Sequence, residues 1–293
     1  MKIGIFGSNY QTGKQTSIKN LFDELKNRQA EIWVEEKFYD YLSKTFAFTP
    51  SVKGLINEDP FMLDMIFSLG GDGTFLRTAA WVGRQEIPVL GINMGRLGFL
   101  ADNNTSELEE VVAEIVDGNY FLEEKNLLQL DCVLPFHGKY NYALNEIAVL
   151  KRDTSAMIAI CASLNDVFLT EYLADGLIVS TPTGSTAYNL SVNGPIILPQ
   201  CRNVVLSPVA PHSLNVRPLV IPDDYKISLK VEARSKNFLI SLDGRSEVFP
   251  SGTELQIQKA DFTIKVVKRQ HHSFYDTLRK KLLWGTDIRE NGK

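Results

Sequence analysis

An α/β N-terminal domain built on a mostly parallel sheet, followed by a larger, mainly β C-terminal domain, is what the hydrophobic pattern of this chain predicts. Over the first third, short apolar runs alternate with segments whose apolar residues recur every three or four positions, the pattern of strands separated by helices in a parallel sheet. From Tyr120 the texture changes to successive strand-like runs broken by turn residues. Near the end Phe274, Leu278, Leu282 and Leu283 return to helical spacing, so a last helix is expected to pack back on the first domain. The expected division is 1–103, completed by 270–293, for the α/β domain and 104–269 for the β domain, with a short crossover near 102–119.

Each element follows from local signals. Ile3 to Phe6 is an apolar run ending at Gly7, and Ile18, Leu21, Phe22 and Leu25 then mark a helix. Glu31 to Val34 reads as a second strand. Leu63 to Leu69 reads as a third, running into Gly70-Gly71-Asp72-Gly73-Thr74 and a helix through Trp81. Pro88 to Asn93 is a fourth strand. Ser106 with Glu109 has the form of a capping box opening a helix that stops at Asp117-Gly118-Asn119. The β half is expected to hold strands at Leu127 to Leu134, Tyr140 to Leu150, Ala156 to Leu164, Val167 to Leu173 and Leu177 to Ser180. Further strands are expected at Asn203 to Leu206, Lys226 to Ala233, Asn237 to Leu242 and Phe262 to Val267. Turns are expected at His137-Gly138 and Asn165-Asp166.

Composition excludes several classes. The 293 residues can bury a full core without disulfides or structural metal, and 44% hydrophobic with 23% charged residues excludes disorder, collagen and coiled coil. With 31 Lys and Arg against 35 Asp and Glu, a net charge of -4 argues against a protein that lives on nucleic-acid phosphates. Cys132, Cys161 and Cys201 show no disulfide or zinc spacing and read as reduced core residues. The charge-free stretch Gly176 to Cys201 is too polar for a membrane helix. KIGIFGSNY has no signal-peptide or import character, so a cytoplasmic location is expected.

Gly70-Gly71-Asp72-Gly73-Thr74 is the strongest local signal for chemistry. Glycines let backbone approach a ligand closely, and the following helix offers unsatisfied N–H groups to an anion. Asp72 is odd in a pure phosphate site, because a carboxylate repels phosphate unless it holds a metal or accepts a proton from a hydroxyl nucleophile. That combination points to a kinase acting on an alcohol. The bland alternative is a tight turn with Asp72 as helix N-cap.

Thr181, Thr183, Ser185, Thr186 and Tyr188 surround Gly184 after the strand that follows Asp175-Gly176. They supply uncharged donors and acceptors suited to a base or carboxamide; the alternative is a solvated loop. Asn145-Glu146 interrupts an apolar strand, where neighbours point to opposite faces unless a bulge or strand end aims both at one cavity. Both need partners, from ligand hydroxyls or from a structural network. Arg96, in Asn93-Met94-Gly95-Arg96-Leu97-Gly98-Phe99, could approach phosphates, and His212 is the one histidine in a suggestive context. Asp243-Gly244-Arg245 fits a hairpin turn better than a site. SNYQTGKQ at 8–15 imitates a P-loop, but Ser8 and Gln15 stand where Gly and Ser or Thr belong, and the P-loop is rejected.

In order, GGDGTFL at 70–76, NMGRLGFLA at 93–101, NE at 145–146, DGLIVSTPTGSTAYNLSVNGP at 175–195 and PHSLNVRPLV at 211–220 closely resemble the bacterial NAD kinases. GGDGT is shared with diacylglycerol and sphingosine kinases, whereas TPTGSTAY singles out NAD kinase. Glu124-Lys125-Asn126-Leu127-Leu128 looks like the family's Glu-Arg-x-x-Leu with Lys125 in the Arg place, and no role is carried to that position. The resemblance implies transfer of the γ-phosphoryl group of ATP to the 2′-hydroxyl of the adenosine ribose of NAD, giving NADP, with a divalent cation, usually magnesium. It implies Asp72 as general base beside that hydroxyl, with Gly73 on the dinucleotide. Asn145 and Glu146 would meet the ribose and phosphate region, and Asp175, Thr186, Ala187 and Tyr188 the nicotinamide and adenine ends. No residue is assigned as a resident metal ligand, and Asp72 as base or metal holder is left open. The resemblance also implies a homodimer or homotetramer with shared sites. Neither nucleic acid nor a membrane is expected as a partner. The competing readings are a diacylglycerol-type lipid kinase, whose one basic surface would be Leu278 to Leu283 with Arg279, Lys280 and Lys281, and a non-catalytic dinucleotide-binding regulator.

Overall fold

The computed structural model describes all residues except 10–12, 58–61, 135, 137–139, 153–155, 271–272 and 286–293. It forms two units, Met1–Glu124 with Ile264–Lys293, and Lys125–Thr263.

The first unit runs β1 (Lys2–Gly7), α1 (Gln15–Asn27), β2 (Glu31–Glu35), α2 (Glu36–Phe46), β3 (Gly54–Ile56), β4 (Met65–Leu69), α3 (Asp72–Val82), β5 (Val89–Asn93), β6 (Asn103–Asn104) and α4 (Leu108–Val116). Its parallel sheet has the order β3-β2-β1-β4-β5, and Val266 of a later strand pairs with Val89 beyond it. β4 and β5 are buried at every residue, as continuous apolar runs in a parallel sheet require. α1 buries Ile18, Leu21, Phe22 and Leu25, the four residues that predict it. They join Ile3, Ile5, Phe67 and Val112 in one core, each contributing about 1.5–3 kcal/mol on burial. Chain order reverses between β1 and β4. Strand ends part at such a reversal, so the C-terminal edge there is where an open α/β sheet accepts a ligand.

The second unit runs β7 (Tyr120–Cys132, from Lys125 onward), β8 (Tyr142–Ala143), β9 (Glu146–Lys151), β10 (Ile158–Leu164), β11 (Val167–Ala174), β12 (Gly176–Ser180), a one-turn α5 (Tyr188–Ser191), β13 (Asn203–Val209), β14 (Leu219–Pro222), β15 (Ile227–Ala233), β16 (Asn237–Leu242), β17 (Arg245–Pro250) and β18 (Glu254–Arg269, up to Thr263). One sheet contains β11-β10-β15-β18, and an antiparallel sheet has the order β14-β13-β12-β9-β16-β17. Alternate residues of both meet in one core: Ile158, Ile160 and Ala162 from the first, Leu177, Val179, Phe238, Ile240 and Leu242 from the second. The rest of β18 and the last helix, α6 (Phe274–Leu282), belong to the first unit, as the return to helical spacing predicts.

Several expectations are corrected in detail. The helix near 106 begins at Leu108 after a 3₁₀ turn at Thr105–Glu107, and no side chain caps it, so the Ser106–Glu109 box does not form. Instead Glu107, Glu110 and Glu114 all pair with Arg269. Its stop is as expected, with Gly118 at φ 77°. The strand expected from Tyr140 to Leu150 is two strands broken at Leu144-Asn145. α2, β3, β14 and β17 have no counterpart in the sequence-based expectations. The three cysteines are free, but each is half-buried rather than in the core. Asn165 and Asp166 form the β10–β11 turn with φ of 47° and 65°. His137-Gly138 lies outside the described residues.

Candidate active site

In the first unit the chain leaves β4 at Gly70 and enters α3 at Asp72, at the C-terminal edge beside β1. Asp72 is not the N-cap. Gly71 takes that place, and the Asp72 carboxylate turns to the segment after β5. Its Oδ2 accepts the Phe99 N–H at 2.9 Å, and its Oδ1 accepts those of Leu100 at 2.9 Å and Ala101 at 3.0 Å. Lys281 Nζ of α6 donates to Oδ2 at 3.1 Å.

The loop that presents these N–H groups is fastened at both ends. Asn93 Oδ1 accepts the Gly95 N–H at 2.6 Å, and Asn93 Nδ2 donates to the Arg96 carbonyl. On the other side Asp102 and Lys268 form a buried ion pair, and Asn103 Nδ2 donates to the Gly91 carbonyl at 2.9 Å. A Cβ at Gly98 would stand 2.0 Å from Asp72 Oδ1, so only glycine lets the loop close this tightly. Gly71 and Gly73 have no neighbour within 4 Å of such a Cβ and are exposed, leaving the turn open to an approaching molecule. Burial alone would raise the Asp72 carboxyl. The Ala101 and Phe99 N–H groups, the Lys281 ammonium and the Leu100 N–H together hold it below the ordinary carboxylate range. With its side chain 27% exposed, Asp72 is an ionised carboxylate within reach of solvent. Arg96 is exposed, and only its backbone carbonyl takes part.

In the second unit the break between β8 and β9 carries Asn145 and Glu146. The half-buried Asp243 causes it, its carboxylate accepting the N–H groups of Leu144 at 2.7 Å, Asn145 at 2.8 Å and Glu146 at 3.1 Å. Those donors are thereby withdrawn from a ladder, and a single strand from Tyr140 to Leu150 cannot form. The segment after β12 packs on the same break. Thr181 Oγ1 donates to the Leu144 carbonyl at 2.6 Å and accepts the Gly184 N–H at 3.1 Å, while the Thr181 N–H meets the Asn145 carbonyl at 2.9 Å. A Cβ at Gly184 would lie 2.1 Å from that carbonyl oxygen. Thr186 donates to the Thr183 carbonyl at 3.4 Å, Ala187 is half-buried and Tyr188 is exposed.

Two buried atoms in this arrangement have no hydrogen-bond partner, Asn145 Oδ1 and Glu146 Oε2. A buried polar atom left unsatisfied costs about 1–3 kcal/mol, so both ask for a partner from outside the fold. Burial and then the nearby Asp243 charge push the Glu146 carboxyl up to about 8, against the Tyr188 N–H, which lowers it. At neutral pH Glu146 is therefore a protonated acid, able to donate as well as accept. Beside the acceptor Asn145 Oδ1 it suits a ligand carrying hydroxyl groups.

Asn145, Glu146, Thr186, Ala187 and Tyr188 thus gather at one end of β12. Asp175 stands at the other end, paired with Lys151 Nζ at 2.7 Å. His212 is exposed and enters through its backbone N–H, donated to the Leu173 carbonyl at 2.9 Å. Sequence reasoning missed Asp243. Its Asp-Gly turn is real, with φ of 48° and 82°, but nothing local announces that the carboxylate folds inward onto residues almost a hundred positions earlier. Among the described residues no group of three or more His, Cys, Asp or Glu could hold a metal ion, and no helix is long and apolar enough to cross a membrane.

An ionised carboxylate on an open, glycine-flanked turn, in a doubly wound α/β unit, is the equipment of a phosphotransferase whose acceptor is an alcohol. The family model of the ATP-NAD kinase N-terminal domain matches residues 3–120, and that of the ATP-NAD kinase C-terminal domain matches residues 144–269. The chain belongs to the NAD kinase family. It is 51% identical to the NAD kinase of Bacteroides fragilis (strain YCH46) over 99% of this chain and 100% of that protein. To the NAD kinase of Porphyromonas gingivalis (strain ATCC 33277) it is 47% identical over 98% of this chain and 99% of the relative. Among solved structures it is similar to yeast NADH kinase complexed with NADH, with a TM-score of 0.89 at 22% identity over 99% of this chain and 89% of that one. An NAD kinase from Archaeoglobus fulgidus in complex with ATP gives a TM-score of 0.76 at 25% identity, covering 97% and 99%.

Proposed function

We propose that this chain transfers the γ-phosphoryl group of ATP to the 2′-hydroxyl of the adenosine ribose of NAD, producing NADP and ADP. The observation that carries the reading is Asp72: an ionised carboxylate, partly open to solvent, on a glycine-bounded turn at a sheet's ligand-binding edge. The bond from the γ-phosphorus to its bridging oxygen breaks, the bond to O2′ forms, and the hydroxyl proton passes to Asp72. In a loose transition state the attacking oxygen needs little activation, so a carboxylate of low basicity suffices when it also orients the hydroxyl. Gly73 gives the substrate room. Asn145 and Glu146 supply an acceptor and an acid O–H for ribose hydroxyls, and Thr186, Ala187 and Tyr188, with Asp175, complete dinucleotide binding.

The divalent cation, usually magnesium, enters with ATP as part of the substrate. Magnesium keeps several waters and binds largely through phosphate oxygens, in keeping with described residues that offer no protein cage. A cation directly on Asp72 is disfavoured by the Lys281 ammonium already on Oδ2.

Assembly as a homodimer or homotetramer with shared sites is supported by exposed apolar side chains on the edge strands β11 (Val167, Phe168, Leu173) and β14 (Leu219, Val220). Light scattering checks it. Three unpaired cysteines favour a reducing, cytoplasmic setting.

The deciding experiment incubates the protein with ATP, magnesium and NAD and detects NADP with an NADP-specific dehydrogenase, with NADH and diacylglycerol in parallel. NADP formation is expected. NAD binding without NADP, or phosphorylation of the lipid alone, overturns the reading.

A further inference from the structure

The proposed chemistry meets an obstacle at Asp72. A carboxylate offers about four lone-pair positions. Four donors already take them: the Phe99 N–H and Lys281 Nζ on Oδ2, and the N–H groups of Leu100 and Ala101 on Oδ1. An incoming alcohol can bond to Asp72 only if one donor leaves.

The three backbone donors are poor candidates. Their loop is fastened by Asn93 at one end and by the buried Asp102–Lys268 pair at the other, and Gly98 leaves it no slack against the carboxylate. Lys281 differs on each count. It is a long, flexible side chain, 29% exposed, near the end of α6. Its ammonium also lies 4.4 Å from the centroid of the Phe99 ring, and an aromatic face attracts a cation without accepting a conventional hydrogen bond from it. The helix face that delivers it is anchored independently, with Leu278 buried and the Phe274 ring 6.0 Å from that of Phe99.

We propose that Lys281 is a positioning residue of the phosphoryl transfer: it holds the fourth acceptor position of Asp72 until the substrate hydroxyl takes that place, and its ammonium then turns to the phosphate oxygens of ATP. The inference rests on the NAD kinase reading. Charge drives the exchange in this direction. A triphosphate beside a bare carboxylate would set like charges together, and the α6 ammonium that reaches the same carboxylate offsets them. A point charge on a four-carbon stem is suited to such a move. The exchange of hydrogen-bond partners transfers no proton of its own, so the hydroxyl proton still passes to Asp72 and the reaction remains balanced. The other basic residues of the helix do not share the role: Arg279 pairs with Asp276, and Lys280 is exposed.

The test compares the full chain with its Lys281→Met, Lys281→Arg and Lys280→Met variants, measuring initial rates against ATP and against NAD, and melting temperatures. For Lys281→Met, kcat is expected to fall and KM for ATP to rise by on the order of tenfold or more, the scale of losing one hydrogen bond to a charged group. KM for NAD should stay within about twofold of the parent or fall, because the acceptor position is then vacant. Lys281→Arg should recover most of the loss, and Lys280→Met should match the parent. A Lys281→Met variant with parental kcat and KM for ATP overturns the proposal. So does an equal loss in the Met and Arg variants that follows a lowered melting temperature, which would leave Lys281 a structural ion pair. A parent chain that forms no NADP overturns the activity reading itself, and that outcome is distinguishable because it precedes any variant.

Discussion

Asp243 holds Asn145 by its backbone, Oδ1 accepting the Asn145 N–H at 2.8 Å across 98 positions of sequence. The same carboxylate takes the N–H groups of Leu144 and Glu146, so one side chain breaks the strand and sets two neighbouring side chains at its start. Asp243→Ala would strand three N–H groups, at about 1–3 kcal/mol for each left unsatisfied. A loss of several kcal/mol in chemical denaturation is expected, together with a raised KM for NAD. Asp243→Asn keeps one acceptor oxygen and should fall between. A parental KM for NAD in the folded Ala variant would mean that the break at 144–145 is unrelated to binding.

Asp72→Asn tests the acceptor chemistry. A general base is worth about 10²- to 10⁴-fold in rate, so kcat should fall on that scale while KM for NAD changes little. The structure adds a second readout. An amide nitrogen would face either the Phe99 N–H and Lys281 or the N–H groups of Leu100 and Ala101, donor against donor, and the melting temperature should drop by several degrees. Near-parental kcat at a lowered melting temperature would make Asp72 a clamp for the 98–101 loop and nothing more. Because its donors hold Asp72 below the ordinary carboxylate range, the stability it lends is present above the unfolded value and lost as pH falls through the folded one. At neutral pH the base is already ionised.

The glycines near Asp72 separate fold from function. A Cβ at Gly98 would collide with Asp72 Oδ1 at 2.0 Å, whereas one at Gly73 meets nothing within 4 Å. Gly98→Ala should therefore displace the loop, costing about 1–3 kcal/mol and most of kcat. Gly73 lies in the first turn of α3, where alanine is the better helix former. Gly73→Ala should leave the melting temperature unchanged or raised and act on KM alone, by narrowing the approach to the turn. Thermal scans beside initial rates distinguish the two; a Gly73→Ala variant with unaltered KM would remove that glycine from the binding surface.

What could be read in the sequence was what is local. α1 is legible because Ile18, Leu21, Phe22 and Leu25 lie on one face and are all buried. The β10–β11 hairpin is legible because Asn and Asp tolerate the positive φ that Asn165 and Asp166 adopt. The Gly70 to Thr74 turn is legible because its glycine spacing carries the physics of close approach. α2 escaped because only Phe38 and Leu42 are buried in it, too sparse a pattern to stand out. The Ser106–Glu109 motif misled because the chain takes a 3₁₀ turn through Ser106 at Thr105–Glu107, and the helix starts only at Leu108. Asp243 on Asn145 and Lys281 on Asp72 were beyond reach for one reason: each joins segments remote in sequence, and neither residue's neighbours differ from those of an ordinary turn or a solvated helix face.

Glu146 should make the protein's stability depend on pH in a direction opposite to most carboxylates. Its folded value, pushed up to about 8 by burial and by Asp243, exceeds the ordinary 4.5 of the unfolded chain. Between those values the folded state binds the extra proton, so stability from this group is fully present below the unfolded value and is lost as pH rises through about 8. Glu146→Gln replaces the acid by a neutral isostere and removes that dependence. Relative to the parent it should be nearly unchanged in melting temperature at pH ~4 and progressively more stable toward pH ~9, by a few kcal/mol at the upper end, since each pH unit in the window is worth about 1.4 kcal/mol. The amide keeps one acceptor and supplies donors in place of the acid O–H, so KM for NAD at neutral pH should rise only modestly, whereas Glu146→Ala should raise it on the order of tenfold. Parallel melting curves of parent and Gln variant across the whole pH range would place the Glu146 carboxylate in contact with water and remove the acid O–H from the account of ribose recognition.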